Sequence, residues 1–207
     1  MIVYGTSISP YVRKVLVSLY EKGVPFEHKP VPFHADDPGF QAASPTGKIP
    51  ALDDDGFLLP DSSAILHYIE AKHPEPALIP TEAKALGRAV WFDKYGDTEL
   101  FPVLIIPFVE RFLKPRLMKQ DCDEARAQST IDEKFPALLD YLESQIEGDY
   151  LVGNAFSIAD IAVATNFHNL RLANFEVDAG RWPKLAAYVT RTLERPSFVK
   201  AIAAAKN

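Results

Sequence analysis

The chain has 207 residues, 47% hydrophobic and 24% charged, and a formal net charge of −6 from 22 Lys and Arg against 28 Asp and Glu. These globular values exclude disorder as the default, and an acidic balance with scattered basic residues gives no footprint for nucleic acid or an anionic membrane. The one cysteine, Cys122, has no partner for an internal disulfide and no His or Cys near it at metal-ligand spacing, and no run approaches the ~20 apolar residues of a membrane span. The expectation is a metal-free cytoplasmic protein in a reducing compartment.

Ile2 to Tyr4 reads as a short strand ended by Gly5. Val12, Val15, Leu16 and Leu19 then recur at helical spacing, with Ser9 as cap, Pro10 at the first helical position and Gly23 as the stop. Phe26 to Val31 is a second strand only if Pro30 and Pro32 mark its end or an edge. Strand, helix, strand implies a parallel crossover. Phe33 to Ala43 is an irregular loop or short helix.

Ser44 to Ser63 is the densest stretch of signals. Pro45 and Gly47 mark a turn, Ile49-Pro50 enters the apolar pair Ala51-Leu52, and Asp53 to Gly56 turns the chain into Phe57 to Leu59. Asp61-Ser62-Ser63 stands where a helix begins, ahead of Ile65, Leu66, Tyr68 and Ile69. A helix start collects unsatisfied N–H groups and partial positive charge, so this is a hairpin with a capped helix, and equally a small site for an anionic or zwitterionic ligand.

Pro74, Pro76 and Pro80 read as a linker, after which the strand pattern does not return. The predicted domains are 1–75, α/β, and 81–207, all helical. In the second, Thr81 is expected to cap a long helix kinked by Pro102 and Pro107. A further helix carries Ile131 to Ile146, Ser157 and Asp160 resemble a capping box, and helices follow Trp182-Pro183 and Arg195-Pro196.

Taken together in order, Ser9-Pro10-Tyr11, Gly47-Lys48-Ile49-Pro50, Asp61-Ser62 and the Ser157 to Asp160 box resemble the cytosolic-type glutathione S-transferases, of serine type with a tau-like or omega-like SPY motif, over essentially the whole chain. The resemblance implies a thioredoxin-like α/β N-terminal domain and an all-α C-terminal domain. It implies glutathione as substrate, no metal, and conjugation of the thiolate to a small hydrophobic electrophile for detoxification by a homodimer. Pro50 then stands as a cis-proline, Ile49 pairs its backbone with the cysteinyl part, and Lys48 meets a glutathione carboxylate. Asp61, where many members have Glu, and Ser62 hold the γ-glutamyl end.

Ser9 aligns with the catalytic serine or cysteine of that motif. A free thiol titrates near ~8.5, and lowering this by about two units takes ~2.7 kcal/mol of thiolate stabilisation, most of which a hydroxyl donor and a helix N-terminus supply. Ser7, Thr6 and Tyr4 are the neighbouring alternatives, and His34 is a candidate for the glycyl carboxylate. Tyr11, Phe108, Arg111 and Phe112 are expected to line the electrophile pocket. The same fold also serves glutathione-binding interaction modules and glutathione-dependent isomerases, dehalogenases and peroxidases.

Overall fold

The computed structural model describes residues 1–206. Among them, β1 (Ile2–Tyr4), β2 (Glu27–Lys29), β3 (Ala51–Asp54) and β4 (Phe57–Pro60) form one sheet in the order β2-β1-β3-β4. β1 runs parallel to β2 and antiparallel to β3, and β3 and β4 are a hairpin. β2 is shorter than the predicted Phe26 to Val31 because Pro30 supplies no ladder N–H, which suits it to the sheet edge. The hairpin turns on Asp55 and Gly56, with φ of 52° and 89°. Two successive positive φ values are what a two-residue turn needs to match strand twist, and Gly56 N–H donates to Asp53 Oδ1 at 2.8 Å.

Helix α1 (Pro10–Lys22) crosses from β1 to β2 and ends at Gly23, in the left-handed region at φ 64°. Val12, Val15, Leu16 and Leu19 are fully buried, as their spacing predicts, and so are Arg13 and Lys14. The reason lies far away in sequence. Helix α3 (Ser62–Lys72) and helix α9 (Pro196–Ala203) both pack on α1, so it has no polar face open to water. Arg195 and Ser197 donate to Glu21 of α1 at 2.8 and 2.5 Å and fasten this contact. Residues from Glu194 onward therefore group with Met1–Thr81 in one compact unit. The short helix α2 (Pro38–Ala43) is capped by Asp37, whose Oδ1 accepts from Phe40 N–H at 2.8 Å.

The second compact unit, Glu82–Leu193, is helical. Its first helix, α4 (Ala83–Tyr95), is capped by Glu82 rather than by Thr81, because the Glu82 carboxylate reaches the N–H groups of Lys84 and Ala85. The chain does not break at its prolines. A π-helical stretch (Gly96–Leu100) leads into α5 (Phe101–Phe108), and a second (Val109–Met118) follows it. Wider turns leave room for a proline ring that would otherwise meet the carbonyl four residues back. Helices α6 (Glu124–Gln145), α7 (Ile158–Leu172) and α8 (Pro183–Leu193) complete the unit. Helix α7 is its core, buried from Ile158 to Phe167 and packed on α4, α5 and α8. Gly96 permits the α4 end to approach it: an added Cβ would lie 2.9 Å from the Ala162 carbonyl oxygen.

Candidate active site

The sheet register gathers four separate segments at one end of the first unit. Tyr4 pairs with both Lys29 and Ala51, and Ala51 pairs with Pro60. The residues after Tyr4, after Lys29, before Ala51 and after Pro60 must then lie together. They are the Gly5 to Ser9 loop, the Pro30-Val31 exit, the Lys48-Ile49-Pro50 approach and the Asp61-Ser62 start of α3.

The Ile49-Pro50 peptide is cis. Gly5 meets it from the opposite strand: at φ 131°, an added Cβ would lie 2.9 Å from Ile49 Cβ and 2.6 Å from Val12 Cγ2. Only glycine allows that approach. The turn before Ile49 is held by Ser44, whose hydroxyl donates to the Lys48 carbonyl at 2.6 Å while its carbonyl accepts from Gly47 N–H at 2.9 Å. Lys48 is exposed and Ile49 is buried.

The Gly5 to Ser9 loop is tied along its length. Gly5 and Thr6 N–H donate to the Lys29 and Val31 carbonyls at 3.0 and 3.1 Å, and Ser9 N–H donates to the Thr6 carbonyl at 3.1 Å. Arg13 Nη1 donates to the Ser7 carbonyl at 2.8 Å. Ser9 occupies the N-cap position of α1 and Pro10 the first helical one, but the Ser9 hydroxyl makes no capping bond, in contrast to the expected cap. Its side chain stands at a helix N-terminus, where partial positive charge favours an anion.

The alternatives to Ser9 are placed differently. Tyr4 is buried with its hydroxyl against α2, where an added Cβ on Gly39 would lie 2.4 Å away, and burial pushes its phenol above the ordinary range. That is core packing. Ser7 is fully buried.

At the start of α3, Asp61 has φ 76° and ψ 128°, an uncommon conformation for a side-chain-bearing residue. Its Oδ1 accepts from Ala64 N–H at 3.0 Å. Asp61 is exposed and Ser62 is 3% exposed, so the acid reaches solvent at a helix start whose other N–H groups point the same way.

His34, the candidate for the glycyl carboxylate, is held against the turn into Lys48. It has φ 54°, its N–H donates to the Gly47 carbonyl at 2.9 Å, and its ring lies where a Gly47 Cβ would be, 2.2 Å from Nδ1. With Phe40, Gln41, Ser44, Thr46 and Gly47 it lines a cavity of about 400 Å³ beside the turn into Lys48. The sequence signal for it is Gly47, whose φ of 66° and missing side chain make that packing possible.

The residues expected to line the electrophile pocket are divided between the units. Tyr11 is half-buried at the second position of α1. In the helical unit Phe108 and Phe112 stack with centroids 5.2 Å apart, and Arg116 lies over Phe112 at 4.8 Å. Arg111 is committed to carboxylate and amide partners, donating to Glu124 at 2.5 and 3.0 Å and to Gln128 Oε1 at 2.9 Å. Among the described residues no cluster of His, Cys, Asp and Glu is suited to a metal, and no helix is long and apolar enough to cross a membrane.

Comparison with known proteins identifies a family. The family description "Glutathione S-transferase, N-terminal domain" matches residues 3–77, and "Glutathione S-transferase, C-terminal domain" matches residues 108–204. The chain is 30% identical to a glutathione S-transferase of Triticum aestivum, over 97% of this chain and 92% of that protein. It is 32% identical to glutathione S-transferase 3 of Zea mays, again over 97% and 92%. The solved structure of a glutathione S-transferase from Rhodospirillum rubrum F11 superposes with a TM-score of 0.86 at 25% identity, covering 97% of this chain and 90% of that one.

Proposed function

The chain belongs to the glutathione S-transferase family, and from that premise we propose how this glutathione transferase holds and activates its substrate. Glutathione lies across the end of the sheet. Ile49, ahead of the cis-Pro50, pairs its backbone with the cysteinyl residue as an added strand would. Asp61 takes the γ-glutamyl ammonium, and Ser62 with the α3 N–H groups takes the adjoining carboxylate. Lys48 meets the glycyl carboxylate, with His34 beside it across the cavity.

Ser9 is the catalytic residue. The glutathione thiol gives its proton to solvent, and the Ser9 hydroxyl donates a hydrogen bond to the thiolate at the positive end of α1. The sulfur lone pair then forms a C–S bond to a small hydrophobic electrophile. A leaving group departs with its electron pair, or, in an addition, the carbon that receives the pair is protonated. Tyr11, at the start of α1, supplies apolar surface for the electrophile. The enzyme acts as a cytoplasmic homodimer in detoxification. Phe57 and Leu58, 49% and 39% exposed on β4, with Phe57 stacked on Tyr68 at 4.8 Å, support an apolar subunit contact there.

The observation that carries the reading is the convergence of a cis-proline, a serine-started helix and an acid-started helix at one sheet end. Retention on immobilised glutathione and turnover of several electrophiles test it. Ser9→Ala is expected to lower kcat/KM by roughly 10- to 100-fold, the worth of one hydrogen bond to a charged group, with little change in glutathione affinity. A chain that fails to bind glutathione sinks the reading; binding without turnover, unaltered by Ser9→Ala, would mark a glutathione-binding module instead.

A further inference from the structure

Helix α1 buries two adjacent cations completely, which is costly enough to need a reason. Arg13 reaches back six positions to the Ser7 carbonyl at 2.8 Å, and Lys14 reaches forward to Ser63 Oγ at 3.3 Å. Burial pulls the Arg13 guanidinium down to about 9, so it remains charged at neutral pH. Ser7 is the midpoint of the loop that carries Ser9. On its N-terminal side the loop hangs from β2 and its exit through the Gly5 and Thr6 N–H groups, and on its C-terminal side the Ser9 N–H closes a turn onto Thr6. At the middle, the Ser7 carbonyl is held by the Arg13 guanidinium. The Ser7 hydroxyl is buried without a hydrogen-bond partner among the described residues, and the Ser9 hydroxyl makes no capping bond. The planar guanidinium, fixed inside the helix packing, holds this loop at the Ser7 carbonyl.

We propose that Arg13 is a positioning residue for thiol activation, holding the Ser7 carbonyl from within α1 so that the Ser9 hydroxyl keeps its direction toward the thiolate. The inference rests on the role given above to Ser9. A donor displaced by a fraction of an ångström loses most of its preference for the thiolate, because that preference depends on distance and alignment. The glutathione contacts assigned to Ile49 and Asp61 do not pass through Ser7, so at a pH where the bound thiol is protonated the affinity stays while the ionisation changes.

The test titrates the thiolate absorbance of glutathione bound to the full chain and to Arg13→Met, Arg13→Lys and Lys14→Met. In Arg13→Met the bound thiol should titrate about one unit higher, with kcat below that pH down about tenfold and KM for glutathione within about twofold. Arg13→Lys, a donor of shorter reach, should fall between. Lys14→Met, which removes the neighbouring buried cation, should titrate as the parent does. An unchanged titration in Arg13→Met, or an equal rise in Lys14→Met, overturns the proposal. Should Arg13→Met not fold, Arg13→Lys decides: a parent-like titration with unaltered hydrogen-exchange protection of the Ser9 amide overturns it. If the parent itself binds no glutathione, the functional reading fails, and exchange at the Ser9 amide still tests the hold on the loop.

Discussion

Asp160 accepts from the Ser157 N–H through Oδ2 at 2.9 Å and from the Leu151 N–H through Oδ1 at 3.0 Å, so one buried carboxylate both starts α7 and fixes the segment before it. Asp160 is fully buried, and that burial pushes its carboxyl up to about 6 although both backbone bonds pull the other way. A carboxyl raised above its unfolded value of ~3.9 binds the proton more tightly in the native state. Its contribution to stability is full below the unfolded value and declines as pH rises through about 6. Urea unfolding should show the parent losing up to about 3 kcal/mol relative to Asp160→Asn between pH 4 and 6.5, two units at 1.36 kcal/mol each. A difference that is flat with pH would place the Asp160 titration elsewhere.

Glu110 shows the opposite sign. Its fully buried carboxylate pairs with Lys114 at 2.6 Å and Arg126 at 3.0 Å and accepts from Asp123 N–H at 3.0 Å, tying the second π-helical stretch to the start of α6. The Lys114 hydrogen bond, foremost, holds the carboxyl below its ordinary value. This stability is present above the unfolded carboxylate range and lost as pH falls through the native one. Glu110→Gln should cost about 1–3 kcal/mol at pH 7 and nothing extra in strong acid. Equal losses at both pH values would show that shape, not charge, matters there.

Gly5 and Gly23 separate two reasons for a glycine. Both have positive φ, but Gly23 has nothing within 4 Å of an added Cβ, whereas Gly5 would meet Val12 and Ile49. Gly23→Ala should cost only about 1 kcal/mol of backbone strain. Gly5→Ala should cost roughly 2–3 kcal/mol and also displace the cis-proline turn, so glutathione affinity falls with stability. Thermal melts beside glutathione titrations check both, and a Gly5→Ala chain with parent affinity would mean that Ile49 does not need this contact.

The parts of the site that sequence reading reaches are those whose cause is local. Ile49-Pro50, the Asp55-Gly56 turn, Ser9-Pro10 and Asp61 each carry their conformation in neighbouring residue types. Arg13 and Lys14 do not. By spacing they flank an apolar stripe and belong in water, and only the packing of α3 and of α9, the latter nearly the whole chain later, covers α1 on these sides. The placement of His34 is non-local for a related reason, since its order comes from packing on Gly47 thirteen residues away. The π-helical stretches around Pro102, Pro107 and Pro115 lie between the two outcomes a proline suggests, a break or a kink.

Asp61 combines a structural and a binding role that one substitution can part. Its Oδ1 caps α3 through Ala64 N–H, and its charge is proposed to meet the γ-glutamyl ammonium. Asn caps a helix about as well as Asp and tolerates positive φ, so Asp61→Asn keeps the first role and removes the second. Its melting temperature should stay near that of the parent while its Kd for glutathione rises by about tenfold or more, the worth of a charge-assisted bond. Asp61→Ala should lose about 1 kcal/mol of stability as well. Glutathione lacking the γ-glutamyl amino group provides the decisive comparison, because it should bind the parent and Asp61→Asn almost equally. If that analogue still prefers the parent by the full factor, Asp61 acts through the geometry of α3, and the ammonium contact must be assigned to another group.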